Sequence, residues 1–474
     1  MSFEDLKIVI MINGAVWLVV TCLLVGVFSK PYQTPMMGEA GGSRTLVVLN
    51  DMSLVQSHSL FFGGLKRMGH ELTYKDPAGV VLTKYGESVY DNIVVFASDI
   101  EDTSDDLLEF MNKGGNILVA TDENIAKSLR DFAENCGVEF DSAGSHVVDH
   151  FSYSAAEDKD KIHSAIITDN VFGASNLLSS YSDVPSASRK VLYQGIGHAV
   201  DENNIFAVRV LRGNPTTYSA DPSKSVGDYP ETAGADTLLV TAMQGRNNAR
   251  ITFAGSVNLF SNEFFRSHSS ADGGNGNGNG NEQFCDDVAS WTFGQMGVLR
   301  FRDVTHHLSD GTPPDVILHE KHRPNDLPSS LFPDPEITRN SLVYRIKDEL
   351  VFSMVVEEYQ RGAWVPFQAD DMQLEFVMLD PHVRTTMVSD PDTGKFVATF
   401  IAPDNYGIFK FRVLYRRPGY SIIHAEVPVS VRPFKHNEYD RYLFTAFPYY
   451  TSSFSAMIAF FVFSFFYLFS KDKE

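Results

Sequence analysis

Thr45-Leu46-Val47-Val48-Leu49 and Asn92-Ile93-Val94-Val95-Phe96 are the stretches that decide the fold. Each is a short, unbroken apolar run, the pattern of a strand buried on both faces. Asn116 to Ala120 gives another strand. Helical patterns lie between them. Leu60, Phe61, Leu65 and Met68 give helical spacing over Val55 to Met68, which ends before Gly69. Glu71 to Tyr74 reads as a short strand. Thr103 or Ser104 caps a helix through Lys113, with Leu107, Leu108 and Met111 on one face, and Gly114-Gly115 stops it. Glu123 to Asn135 reads as another helix. Parallel strands need crossovers, so this alternation predicts a doubly wound α/β domain with helices on both faces of the sheet.

Further along, Ala165 to Ile167, Val191 to Tyr193 and Phe206 to Leu211 read as strands. Thr237 to Met243 and Arg250 to Phe253 flank the turn cluster Gln244-Gly245-Arg246-Asn247-Asn248, which predicts a hairpin. Ser267 to Gln283 is a loop whose Gly273 to Asn281 tract is low in complexity and flexible. Glu282 to Met296 has a helical stripe of Phe284, Val288, Trp291 and Met296. After about Leu299 the apolar period becomes two. Val343 to Glu357, Trp364 to Phe367, Gln373 to Leu379, Lys395 to Phe400, Gly407 to Tyr415 and Ile422 to Val431 read as strands separated by turn residues. Such spacing predicts an antiparallel β-sandwich of immunoglobulin-like kind. Gly311 to Pro335 is Pro-rich and reads as an exposed connector.

Both ends of the chain are apolar. Ile8 to Phe28 fits the core of a signal peptide, with cleavage expected after Ser29 and Gly38-Glu39-Ala40 as a second candidate. Tyr450 to Phe469 carries no charge and, at about 1.5 Å per residue, spans roughly 30 Å, the thickness of a bilayer core. Tyr449 and Tyr450 mark one edge, and Lys471 and Lys473 follow the other. The expected topology is therefore type I, with the body lumenal and a very short cytosolic tail. Ser452 with Ala456, and Ser455 with Ala459, give small residues four apart, suited to close helix approach in lipid or incidental to a lipid-facing helix.

The length between the apolar runs, about 420 residues, allows two or three domains. A hydrophobic content of 43% with 12% aromatic residues is that of a globular protein. The net charge of −21 argues against nucleic acid or an anionic membrane surface as the main partner. Apart from Cys22 in the leader, Cys136 and Cys285 remain; the compartment permits a disulfide between them, and a chain this size does not need one. No Asn-x-Ser/Thr acceptor occurs anywhere in the chain.

A search for chemistry finds little. Asn50-Asp51-Met52 follows the first strand where a dinucleotide site would have G-x-G-x-x-G. There is no P-loop and no G-x-S-x-G elbow. Cys136, at a helix C-terminus, lacks the N-terminal dipole that activates a thiol. His306 and His307 are adjacent, so on a strand they point to opposite faces. Asp149, His150 and His58 have no metal-ligand spacing. Asp99, Glu101, Asp102, Asp105 and Asp106 sit at a helix start, where the macrodipole accounts for them. Arg246 and Arg250 flank the hairpin turn, either solvated or in contact with another subunit. No catalytic, cofactor-binding or metal-ligating residue is assigned, and no cofactor.

Arg44 to Leu49, His58-Ser59-Leu60-Phe61-Phe62 and Lys84-Tyr85-Gly86-Glu87 resemble the start of the DDOST family of oligosaccharyltransferase subunits. Ala242, Arg246-Asn247-Asn248-Ala249-Arg250, Phe253-Ala254-Gly255-Ser256, Trp364-Val365-Pro366-Phe367, Gln373 to Val377, Val429 to Pro433 and Phe447-Pro448-Tyr449-Tyr450 match in the same order. The resemblance implies a non-catalytic, accessory subunit of the complex that transfers an oligosaccharide from dolichyl diphosphate to Asn in Asn-x-Ser/Thr. It implies catalysis in a different subunit, residence in the endoplasmic reticulum membrane, and partners that include the catalytic subunit, ribophorins and, through the complex, the translocon. It also implies a glutamine amidotransferase-like fold for the first domain. The expected divisions are a signal peptide over 1–29, a lumenal α/β domain over 43–260, and a loop, helix and connector over 261–340. A β-sandwich over 341–434, a juxtamembrane linker over 435–449, a transmembrane helix over 450–469 and a cytosolic tail over 470–474 complete them. The tail lysines, second and fourth from the end, are out of the dilysine register, which favours retention through the complex. The alternatives are a stand-alone lumenal enzyme of amidotransferase-like or hydrolase type, or a lumenal receptor or adaptor.

Overall fold

The computed structural model describes residues 43–470 apart from 79, 100–103, 160, 172–176, 184–188, 202, 223–228, 268–279, 318–340, 361 and 440–442. The expected leader, most of the Gly/Asn tract, most of the Pro-rich connector and the last four residues lie outside the described residues.

The first half runs β1 (Ser43–Leu49), α1 (Ser59–Arg67), β2 (His70–Lys75), β3 (Asn92–Phe96), α2 (Ser104–Asn112), β4 (Asn116–Ala120), α3 (Lys127–Asn135) and β5 (Val138–Phe140). It continues with β6 (His198–Val200), β7 (Ala207–Arg212), β8 (Leu238–Gln244), β9 (Arg250–Ala254) and α4 (Asn281–Thr292). Among the described residues these strands form one nine-stranded sheet, ordered β2-β1-β3-β4-β9-β8-β6-β5, with β7 also on β8. The first five in that order are parallel. From β9 onward the pairings are antiparallel, the β8–β9 hairpin reversing the direction.

Alternation along the parallel strands loads both faces with apolar side chains, as the unbroken runs require. Val47, Leu49, Val94 and Phe96 share a core with Phe61, Phe62 and Leu65 of α1 and with Phe284, Val288 and Trp291 of α4. Leu46, Val48, Ile93 and Val95 share the opposite core with Leu107 and Phe110 of α2 and with Leu129 and Phe132 of α3. Each Leu or Phe so buried contributes about 1.5–3 kcal/mol relative to exposure. The helix expected over Val55 to Met68 is broken at His58, whose φ of −114° leaves helical space between Leu54–Ser57 and α1. Likewise α3 starts at Lys127 rather than Glu123, because Ala126 is extended.

The second half comprises β10 (Val298–Leu308), β11 (Asp315–Ile317), β12 (Ser341–Arg345), β13 (Glu349–Gln360), β14 (Ala363–Pro366), β15 (Gln373–Val377), β16 (Pro381–Thr386) and β17 (Val388–Asp390). β18 (Lys395–Ile401), β19 (Gly407–Tyr415) and β20 (Ile423–Arg432) complete it. One sheet is ordered β10-β13-β18-β17 with β14 on β13, and the other β11-β12-β20-β19-β15-β16. Leu350, Phe352, Met354 and Phe396 from one sheet and Phe376, Phe409, Phe411 and Val413 from the other meet in a single core.

Two expectations are corrected here. The continuous strand over Val343 to Glu357 is two strands, because Lys347 takes φ +63° and the chain crosses from one sheet to the other at Ile346-Lys347-Asp348. The body is not wholly antiparallel, since β12 lies parallel to β20.

The chain ends in α5 (Phe447–Phe469), entered through a short 3-10 turn at Phe444–Ala446. None of its described residues is buried. It is long and apolar enough to cross a membrane. The three serines near its start satisfy their hydroxyls on the helix itself: Ser452 Oγ donates to Tyr449 O at 2.8 Å, Ser453 Oγ to Tyr449 O at 3.0 Å and Ser455 Oγ to Ser452 O at 2.8 Å. Such internal bonding is what an apolar solvent demands.

Candidate functional site

In an open α/β sheet, ligands bind beyond the carboxyl ends of the strands where the strand order reverses. Here that point lies between β1 and β3. The polar groups there bond to one another. Asn50 Nδ2 donates to Ser98 Oγ at 2.8 Å, and Asp51 accepts from Ser53 N at 2.9 Å and Ser53 Oγ at 2.6 Å. Those two bonds hold the Asp51 carboxyl below its usual range. Ser57 Oγ lies 2.9 Å from His58 Nδ1, a spacing that invites comparison with a nucleophile and its base. His58 is only 2% exposed, however, its Nε2 is 3.1 Å from Val257 O, and its ring packs edge-on to Phe96. Burial lowers its pKa. This is a packed histidine, its ring nitrogens taken up by neighbouring carbonyls and Ser57.

The thiols are equally withdrawn. Cys136 and Cys285 are free and buried. Burial pushes the Cys136 thiol up to about 12 and the Cys285 thiol well above its usual value. Among the described residues no group of three or more His, Cys, Asp or Glu is placed to hold a metal ion. His306 and His307 follow the strand alternation, and His306 Nδ1 sits 2.6 Å from Tyr344 OH, inside the second core.

Two residues that the sequence leaves without a metal-ligand spacing are well connected. Asp149, fully buried, accepts from Phe151 N at 2.9 Å, Ser152 N at 3.2 Å, Thr216 Oγ1 at 2.9 Å and Asn214 Nδ2 at 3.2 Å. Burial alone would raise its pKa, but these donors outweigh it and hold the carboxylate low. His150 lies 2.7 Å from His163 and 2.8 Å from Tyr218 OH. The local sequence signals only the Asp149 bonds to its own turn, since Asn214, Thr216 and Tyr218 arrive from a distant segment.

The densest polar construction joins the two halves. Arg250, expected in a solvated turn or at a subunit contact, is 2% exposed. Its guanidinium donates to Trp291 O, Met296 O and Gly297 O, each at 2.7 Å, and stacks 4.7 Å from the Trp291 ring. Desolvation lowers its pKa to about 9, so it stays charged at neutral pH. Trp291 Nε1 donates to Gly419 O at 2.8 Å. Ile422 N donates to Asn248 Oδ1 at 2.7 Å, and Leu299 N to Ser421 Oγ at 2.7 Å. Gly297 must be glycine: its φ is +65°, and a Cβ there would stand 2.3 Å from Gly419 O.

Beside this junction a cleft of about 150 Å³ is lined by Ile205, Phe206, Gln244, Arg416, Tyr420 and Ile422 among others. Arg416 stacks 4.3 Å over the Phe206 ring, and Arg246 lies 5.6 Å from the same ring. Arg416 Nη2 and Gln244 Oε1 are buried without a hydrogen-bond partner. A donor and an acceptor over an aromatic face suit a backbone or side-chain amide.

Comparison with known proteins agrees with a chain that is related along nearly its whole length to one group. Residues 37–295 match the family model described as OST48, N-terminal domain, and residues 333–471 match the OST48 middle domain. The dolichyl-diphosphooligosaccharide--protein glycosyltransferase 48 kDa subunit of Drosophila melanogaster is 37% identical, covering 91% of this chain and 92% of its own. The subunit of the same name from Danio rerio is 36% identical, covering 92% and 93%, and that from Arabidopsis thaliana is 35% identical, covering 90% and 93%. A solved ThuA-like protein from Parabacteroides merdae is 13% identical over 53% of this chain and 90% of its own, with a TM-score of 0.26, too low to support an argument about the fold. The full-length matches at more than a third identity, spanning both halves and the terminal helix, place this chain in the OST48 family.

Proposed function

We propose that this chain is a non-catalytic subunit of the oligosaccharyltransferase complex. That complex transfers an oligosaccharide from dolichyl diphosphate to Asn in Asn-X-Ser/Thr of nascent proteins. The observation that carries the proposal is the collinear match of over 90% of the chain to the 48 kDa subunits of a fly and a fish. Catalysis then falls to another subunit, and this one serves assembly and full activity. In support, the polar groups beyond the first parallel strands bond to one another, and the histidine there is buried against a carbonyl.

Within the same proposal the body is lumenal, the protein resides in the endoplasmic reticulum membrane as a type I single-pass chain, and residues 1–29 are a signal peptide. Its partners are the catalytic subunit, other accessory subunits such as ribophorins and, through the complex, the translocon. The divisions follow the expected ones with two exceptions: α4 belongs with the α/β domain because its side chains fill that core, and β10 and β11, expected in the connector, belong with the β-sandwich because they pair in its two sheets. Five parallel strands with helices on both faces support a doubly wound, amidotransferase-like assignment for that domain.

The test is purification of an internally tagged chain, its C-terminus left intact, from digitonin-solubilised microsomes, followed by a glycan-transfer assay on an Asn-x-Thr peptide. A multisubunit assembly with transfer activity is expected, with the isolated body inert. A chain that elutes alone, or whose isolated body turns over a substrate, sinks the proposal.

A further inference from the structure

The chain leaves the two-sheet body at the carboxyl end of β20 and does not travel far before reaching α5. Arg432 donates to Glu438 from both Nη atoms, at 2.6 and 2.8 Å, which folds the exit segment back onto the body. Phe434 packs against Tyr439 at 5.4 Å between centroids, with Arg345 of β12 lying 5.3 Å over the Phe434 ring. From Tyr439 the chain has four residues to Leu443, at most about 14 Å fully extended. The helical lead-in begins at Phe444. The end of the body where β20 finishes is thus tethered close to the start of the apolar helix.

That same end presents apolar side chains to solvent. β19 begins there, because Gly407 pairs with Val431. The β15–β16 turn is there too, since Val377 pairs with Lys410 and a Cβ on Gly407 would stand 2.9 Å from Met378 Sδ. The β18–β19 loop joins them through Asn405 Nδ2, 3.2 Å from His382 Nδ1, and through the Lys347–Asp404 ion pair at 3.0 Å. At these tips Leu379 is 91% exposed, Ile408 70% and Tyr406 68%. Exposed large apolar side chains grouped on one end of a soluble body call for a nonaqueous partner. The interfacial layer of a bilayer is about 5–8 Å deep on each side, and tyrosine favours it.

We propose that this end of the body, through Leu379, Tyr406 and Ile408, rests in the headgroup layer of the membrane that α5 crosses. The contact fixes the tilt of the body on its short tether, so that the first half is held at a set height above the bilayer. The proposal rests on α5 spanning the membrane, and the test reads that separately.

Spin labels are placed singly by Leu379→Cys, Tyr406→Cys, Asp392→Cys and Phe461→Cys in the full chain carrying Cys22→Ser. The protein, with any assembly it brings, is reconstituted in phosphatidylcholine nanodiscs. Collision with oxygen, which partitions into lipid, is compared with collision with a water-soluble nickel chelate. Position 392 lies in the turn before β18, at the opposite end of the body, and serves as the aqueous reference. The expected result is an oxygen-to-nickel ratio at 379 and 406 several-fold above that at 392, with 461 higher still. A ratio at 379 and 406 equal to that at 392, with 461 in lipid, overturns the proposal and leaves the span intact. Low collision with both reagents at 379 and 406 means that protein covers the patch, and also overturns it. An aqueous signal at 461 overturns the span and the proposal together.

Discussion

Arg250 shows how far a residue's role can lie from its local sequence. It flanks a hairpin turn, yet its charge is buried against three carbonyls contributed by the segment 291–297. Arg250→Ala leaves Met296 O without a donor and takes one of two donors from Trp291 O and Gly297 O, and we expect a loss of about 3–5 kcal/mol, read as a lower urea midpoint of the soluble body. Arg250→Lys is not a rescue, because an ammonium cannot span the same fork.

The buried histidines set the acid limit. Burial lowers the pKa of His198 to about 3 and those of His70 and His306 to about 4. Below about pH 6.5 the unfolded imidazoles take up protons that the folded ones refuse. The unfolded state then binds more protons, so stability falls as pH drops from about 6.5 toward 4, by up to about 1.4 kcal/mol per pH unit for each histidine. His198→Asn is expected to flatten that slope by one such increment, seen as the difference between variant and parent midpoints at pH 7 and pH 5. The thiols offer a simpler check. Cys136 and Cys285 are expected to resist maleimide at pH 8 in the folded chain and to react fully in guanidinium, by mass spectrometry.

At the scale of elements, the join between the halves depends on α4, β9 and the loop before β20. Trp291→Phe keeps the apolar packing but leaves Gly419 O without its donor, an expected cost of about 1–3 kcal/mol. Gly297→Ala is expected to do more, since both its φ of +65° and the carbonyl 2.3 Å from the new Cβ oppose a side chain. Calorimetry tests both: the parent body is expected to melt in one transition and Gly297→Ala in two, and a single unshifted transition would show that the halves are coupled elsewhere.

The elements themselves were mostly legible. The unbroken runs at Thr45–Leu49 and Asn92–Phe96 read correctly because a doubly buried strand needs no partner to announce itself. The break at Lys347 was hidden, because apolar alternation continues through Ile346 while the chain changes sheet. The candidate cleft was not legible either, since Phe206, Gln244 and Arg416 come from three separate strands or their ends and meet only after folding.

For the whole molecule, α5 is the clearest structural link to a membrane. A chain ending at Tyr439 is expected to appear in the supernatant after carbonate washing of membranes, while the full chain stays in the pellet. Retention of the shortened chain would mean that another part of the body also anchors it. The α/β half, the change to period-two strands after Leu299, the apolar terminal helix and the family are all legible without the structure, because each rests on local runs, periodicity or collinear motifs. Only the tertiary structure reveals that α4 belongs to the first core, that Trp291 and Asn248 bond the halves together beside the buried Arg250, that Asp149 adds residues from a distant segment to its own turn, and that the exposed apolar tips lie at the end nearest α5. Those facts depend on residues far apart in the chain becoming neighbours, which no local pattern encodes.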